Sequence, residues 1–225
     1  MVAVVYVVLD TESSVCRVTR QRRLVSLAYE VITATDNSDG YQIACSGYDI
    51  VLPDPVMDPD PVSTNIHQIQ KGYALQWGRP LTEVIQQLGQ VMKTHQPRAI
   101  VGHDICNDIA LLISEAIRCG IHPHEWFGGG QGLQLVCTKL LSLGPCAIPL
   151  PTHLRYQYPC DAQLDMLALD VNDTKFGLLK WPNLEESYRI LVQATEEIMP
   201  QEHDARGDVA RCRAIFSQLV LRPCA

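Results

Sequence analysis

The sequence predicts an α/β fold, a mixed sheet flanked by helices, and three observations carry that prediction. Val4-Val5-Tyr6-Val7-Val8-Leu9 is a continuous apolar run rich in β-branched residues, as expected of a central strand covered on both faces. Leu24 to Ile32 and Tyr41 to Leu52 read as two further strands, so the chain opens as an antiparallel meander. The period then changes: Leu81 to Lys93 is an amphipathic helix that feeds a short buried run, Ala99-Ile100-Val101-Gly102.

The remaining elements follow in order. Pro53 to Pro61 holds four prolines among Asp, Val and Met, which excludes regular structure there. After Gly102, apolar residues at 109, 112, 113, 116 and 117 recur at helical spacing, so a helix follows the strand directly and Asp108 lies in its first turn. Thr138 to Leu143 is a short helical piece. The last helix opens at Asp204, a natural N-cap, with Val209, Cys212, Ile215, Phe216 and Leu219 as its core stripe. Gly144 to Lys180 is irregular, with Gly144-Pro145, Pro149-Leu150-Pro151 and Tyr156-Gln157-Tyr158-Pro159. Long loops are commonly lids or partner surfaces, and Arg155, Tyr156 and Tyr158 offer a cation and two stacking faces for single-stranded bases; an ordinary packed loop is the competing reading. No internal repeat is present. With 225 residues, 47% of them hydrophobic, the chain can bury a full core and is expected to form a single domain over 1–225, with an irregular insertion at about 144–180.

Three acidic islands interrupt this apolar framework. Asp10 and Glu12 close the first strand two residues apart, so their side chains point to the same side and converge. Two adjacent anions raise each other's proton affinity unless a cation neutralises them. Asp108 forms the second island, and His203 with Asp208 the third. Asp208 stands one turn beyond the Asp204 cap, while His203 precedes the helix, where an imidazole can reach a water as a general base. Each island has a plain structural reading: a strand ending in turn residues, an acid suited to a helix dipole, a loop histidine. Together they point to a shared divalent cation, and removing Asp10 or Asp208 is expected to relieve their repulsion.

The series Val8-Leu9-Asp10-Thr11-Glu12-Ser13, Val101-Gly102-His103-Asp104-Ile105-Cys106-Asn107-Asp108 and His203-Asp204-Ala205-Arg206-Gly207-Asp208 resembles, in order and spacing, the three motifs of the DEDDh branch of the DnaQ-like 3′-5′ exonucleases. Ile66-His67-Gln68-Ile69 looks like that family's Ile-His-Gly-Ile substrate loop, and Trp181-Pro182-Asn183-Leu184-Glu185 like the segment opening its penultimate helix. The resemblance runs from about residue 4 to residue 219. It implies an RNase H-like fold with a mixed five-stranded sheet. Carried over residue by residue, it makes Asp10, Glu12, Asp108 and Asp208 ligands of two Mg²⁺ or Mn²⁺ ions and His203 the general base. Thr11, Ser13, Ile66 and His67 would bind substrate, a nucleic acid with a free 3′ end. The implied activity is release of nucleoside 5′-monophosphates from that end, with single-stranded DNA favoured. An exoribonuclease is the alternative, and a non-catalytic nucleic-acid or partner-binding module on the same fold is the reading of another class. The chain departs from the pattern at Asp104, where the family has Asn, at Asn107, where it has an aromatic or apolar residue, and at Gln68, where it has Gly.

Composition narrows the setting. The net charge of −7 argues against nonspecific coating of duplex nucleic acid. Local basic clusters, Arg17, Arg20, Arg22 and Arg23 in the first turn and Arg206, Arg211 and Arg213 on the last helix, read either as a phosphate-guiding rim or as solvated surface. Nine scattered cysteines with no C-x-x-C pair fit a reducing compartment, and Cys119, His122 and His124 lack a fourth ligand for zinc. The apolar N-terminal run lacks a basic segment before it and ends in Asp10, and no stretch approaches the roughly 20 apolar residues of a membrane span. An intracellular, soluble protein of the cytoplasm or nucleus, with no membrane partner, is expected. Its oligomeric state is left open.

Overall fold

The structure is a computed structural model and describes residues 3–35, 40–125, 132–148, 179–192 and 204–221. Its sheet contains β1 (Val5–Val15), β2 (Arg22–Ala34), β3 (Tyr41–Ile50), β4 (Ala99–Gly102) and β5 (Gln134–Cys137) in the order β3-β2-β1-β4-β5. β1, β2 and β3 pair antiparallel, whereas β4 and β5 run parallel to β1. The helices are α1 (Pro61–His67), α2 (Lys71–Trp77), α3 (Leu81–His95), α4 (Ile105–Arg118), α5 (Thr138–Cys146), α6 (Leu184–Leu191) and α7 (Ala205–Phe216). This is a mixed five-stranded, helix-flanked α/β sheet, as the sequence predicts.

Each sheet face buries its own alternate set of side chains. Val7 and Leu9 of β1, with Leu27 and Val31 of β2, pack beneath α3 and α4, against Ile85, Leu88 and Leu112. Val8, Ala28, Ile32 and Val101 face the other way, against Val209, Cys212 and Phe216 of α7. The continuous apolar runs of the central strands are therefore explained by two buried faces. The stripe expected on α4 is shifted: Ile109, Leu112 and Ala116 are buried, but so is Leu111, while Ile117 is 63% exposed.

The first strand does not stop before the acids. β1 continues through Asp10 and Glu12 to Val15 and remains paired with β2, with a register shift between Glu12 and Ser13. β4 pairs only with Tyr6 to Val8 and ends at Gly102, so β1 past Leu9 has a sheet neighbour on one side alone. The chain turns at once from β4 into α4. A Cβ on Gly102 would lie 2.6 Å from Ile105 Cδ1 and 3.2 Å from the Leu9 carbonyl, so a larger residue there would have to displace Ile105.

The proline-rich stretch is irregular up to Asp60, but Pro61, expected to lie within it, opens α1 at the first helical position, where a proline loses no hydrogen bond, capped by the Asp60 side chain. Only the ends of the 144–180 stretch are described: α5 extends to Cys146, and the Lys180 N–H donates to the Ile148 carbonyl at 2.8 Å. Arg155, Tyr156, Tyr158 and His203 lie outside the described residues.

Candidate active site

The site forms where β1 outruns β4. Asp10 and Glu12 project to the α7 side, and Asp208, in the first turn of α7, meets them, with one carboxylate oxygen of each of the three within 4.8 Å of the others. The two-residue spacing on β1 and the Asp204 cap of α7 are the local features that aim them. Asp108 approaches from the opposite face of the sheet. Its Oδ1 accepts hydrogen bonds from the Thr11 hydroxyl at 2.5 Å and from the Thr11 N–H at 3.1 Å, the latter on the edge that β4 has left. Asp108 is thus held beside the trio rather than within it.

The electrostatics are those of crowded, half-dehydrated anions. Burial, then the charges of Asp108, Asp208 and Glu12, push the Asp10 carboxyl well above its usual range. Burial and the charges of Asp208, Asp108 and Asp204 push Glu12 up to about 8, against a smaller opposing pull from Arg22. Asp108 is raised to about 6 by burial, which outweighs the lowering by its bonds from Thr11. Such groups demand either protons or a cation. Asp208 is already partly answered. Arg211, only 4% exposed in its side chain, donates to Asp208 Oδ1 at 2.6 Å and lies 3.5 Å from Glu185. Loss of Asp208 would therefore strip a partner from a buried cation as well as relieve repulsion, contrary to the expectation for this residue.

Asp10 and Asp208 line a cavity of about 320 Å³ with His103, Glu185, Arg189 and Arg211. His103 is half-buried. Its Nε2 is 3.1 Å from the Pro182 carbonyl, which can only accept, so Nε2 carries the proton, and Nδ1 is left to accept from the Thr138 hydroxyl at 3.1 Å. Burial lowers its pKa to about 4. His103 is thus a neutral brace between β4, α5 and the segment before α6, not a titrating base. Pro182 leads into Asn183, which closes a capping box with Glu186 at the start of α6.

The other expected positions have definite surroundings. Ser13 Oγ accepts from Arg22 Nε at 2.6 Å. Ile66 is 46% exposed, but His67 is only 5% exposed, with Nδ1 accepting the Ile69 N–H and burial lowering its pKa. The loop therefore presents Ile66 to the outside, while His67 holds its turn from within. Gln68 adopts φ +59°, a left-handed conformation in which glycine is the unstrained residue. The negative charge of Asp104 is met by Lys139 Nζ at 3.0 Å. Of the suspected basic rim, Arg211 is internal, Arg17 pairs with Asp58, Arg206 with Asp204 and Arg213 with Glu30. Arg22, singled out in sequence only as one of a cluster, is the cation that acts on Glu12 and Asp108.

No family model matches the chain, and no curated protein matches it in sequence. Solved structures do. Exonuclease I of E. coli in complex with a dT13 oligonucleotide superposes with a TM-score of 0.65 at 15% identity, over 96% of this chain and 41% of that one. The zinc-ion-bound form of the same enzyme with single-stranded DNA gives 0.66 at 15% identity, over 96% and 40%, and the product-bound exonuclease I gives 0.63 at 14% identity, over 96% and 44%. The chain spans about two fifths of the length of these neighbours. At this identity the likeness is one of fold.

Proposed function

We propose that the chain is a metal-dependent 3′-5′ exonuclease that releases nucleoside 5′-monophosphates, with single-stranded DNA favoured. The observation that carries the reading is the meeting of Asp10, Glu12 and Asp208 within 4.8 Å, on a sheet whose likenesses in fold include exonuclease I bound to oligonucleotides. The donor set fits a hard divalent cation. It offers carboxylate oxygens only, and Glu12 has no ion-pair partner among the described residues. Asp10, Glu12, Asp108 and Asp208 would hold two Mg²⁺ or Mn²⁺ ions. Bound there, they would neutralise charge on the scissile phosphate and on the leaving 3′-oxygen and would acidify the attacking water.

The chain's own groups do the rest. Thr11 fixes the rotamer of Asp108, and by hydrogen-bonding its Oδ1 favours the ionised form needed for a ligand. Arg211 orients Asp208 in the same way. His203 takes the proton from the attacking water; His103, neutral and occupied on both ring nitrogens, is unsuited to that task. Ile66 packs on the terminal base and Ser13 lies beside the strand end.

A digest of 3′-labelled and 5′-labelled DNA and RNA oligonucleotides with and without Mg²⁺ tests the reading. Metal-dependent appearance of labelled mononucleotide from the 3′ label, and a descending ladder from the 5′ label, is the expected result. Internal fragments, or cutting of a circular single strand as fast as a linear one, would refute it. Equal or faster digestion of RNA would move the substrate from DNA to RNA, and binding without products would make the chain a module.

A further inference from the structure

The tip of the β1–β2 hairpin and the exposed stripe of α4 enclose a groove of about 510 Å³. Arg22 and Arg23 form one wall; Asn107, Ser114, Ile117 and Arg118 of α4 form the other. In a chain of net charge −7, no carboxylate lines this groove among the described residues. At one end of the groove Arg22 donates to Ser13, the residue after Glu12, and Asn107 precedes the buried Asp108 in α4, so that end lies near the acid cluster.

Its three arginines are not equivalent. Arg118 donates to Glu115 and to Asp54, each at 2.8 Å, and Arg23 stands 3.9 Å from Glu115 and 4.0 Å from Asp54, so both charges are largely answered behind the wall. Arg22 is exposed and donates to Ser13 Oγ, with no carboxylate in ion-pair range among the described residues. Its 2.6 Å bond to Ser13 holds it one residue along β1 from Glu12. An uncompensated cation at the junction of a carboxylate-free groove and a site for phosphodiester chemistry is placed to receive a phosphate.

We propose that this groove carries the backbone of the single strand whose end reaches the acids, with Arg22 holding a phosphate and Asn107 and Ser114 supplying neutral hydrogen bonds; the inference rests on the phosphodiesterase reading of the acid cluster. Along α4, Asn107 to Arg118 spans about 16 Å at 1.5 Å per residue, which at about 3.4 Å per stacked nucleotide accommodates no more than about five. The site is thus a short-footprint reader of single strands.

Anisotropy with 5′-fluorescein-labelled dT oligomers of two, four and eight nucleotides, with Ca²⁺ in place of Mg²⁺, tests this alongside cleavage in Mg²⁺. Affinity of the unmodified chain should climb with length and level off near five nucleotides. Arg22→Ala should weaken octanucleotide binding about ten-fold and reduce the slope of log K against log salt by about 0.7, the share of one phosphate contact on a single strand. Ser114→Glu, at an exposed helix position on the opposite wall, should flatten the length dependence without relying on Arg22. Variants that keep the length dependence and the salt slope would overturn the groove, even if cleavage persists. Groove-dependent binding by a chain that never cleaves would instead leave the groove standing and refute the exonuclease. A chain that neither binds nor cleaves single strands would refute both.

Discussion

Glu12→Gln isolates the electrostatic cost of assembling the acid cluster. In the folded chain the Glu12 carboxyl titrates near 8, against 4.5 when unperturbed. The folded form therefore holds a proton that the unfolded chain gives up above about 4.5, so metal-free stability must fall as pH rises from about 4.5 to 8 and then level. Each pH unit of that interval is worth roughly 1.4 kcal/mol, which sets a ceiling of about 5 kcal/mol. Partial hydration of the carboxyl and repulsion shared among four acids bring the expected effect to about 2 kcal/mol. The Gln variant escapes this penalty: in EDTA it should match the parent near pH 4 and exceed it by about 2 kcal/mol at pH 9, a melting difference of roughly 4 to 8 °C for a chain of this size. Mg²⁺ should reverse the order, because it stabilises only the chain that binds it. Thermal melts at pH 4, 7 and 9 with and without Mg²⁺ provide the check. Parallel pH profiles for parent and variant in EDTA would show that Glu12 is not under the repulsion described.

The other acids and their supports should behave differently. Asp208→Ala should abolish cleavage and also destabilise the metal-free fold, by about 2 kcal/mol, because buried Arg211 loses its 2.6 Å partner; denaturant titration with Asp10→Ala as the contrast reads this directly. Thr11→Val removes the hydroxyl bonded to Asp108, so Asp108 should titrate above about 6 and the acid limb of the rate profile should move to higher pH, with Mg²⁺ affinity at pH 7 lowered by roughly ten-fold. His203→Ala should lower the rate by roughly 10² to 10⁴ and remove the imidazole limb of the pH profile; a variant keeping that limb would assign it to another group. Substrates ending in a 3′-phosphate should be cut at least about ten-fold more slowly than those ending in a hydroxyl, since a site shaped for that hydroxyl leaves polar groups unpaired without it.

Much of this arrangement could be read from short stretches of chain. The apolar run at Val4 to Leu9, the helix-period stripe after Gly102 and the Asp204 cap are local signals, and they placed β1, α4 and α7 correctly in type and order. The convergence of Asp10 and Glu12 was legible for the same reason, since strand alternation aims both to one side; that Asp208 meets them was expected only from the resemblance in motif order and spacing. Boundaries were less legible: β1 passes through its acids to Val15 because pairing with β2 continues there, and nothing in Asp-Thr-Glu-Ser-Ser announces a partner strand.

Sequence by itself determined the fold class, because that follows from periodicities of two and 3.6 residues acting over a few positions; the acids expected to share a cation were named through the resemblance in motif order and spacing. Tertiary structure decided what those acids and their neighbours touch. Thr11 and Asp108 are 97 positions apart and meet only because β4 stops at Gly102, leaving a backbone edge for α4 to cover. His67 turns inward rather than towards a base, Arg211 is an internal partner of Asp208 rather than a surface cation, and Arg22 alone of its cluster stands near the acids without a carboxylate of its own in ion-pair range among the described residues. Burial and ion pairing depend on groups brought together from distant parts of the chain, so a single stretch of sequence carries the charge of a residue but not its compensation.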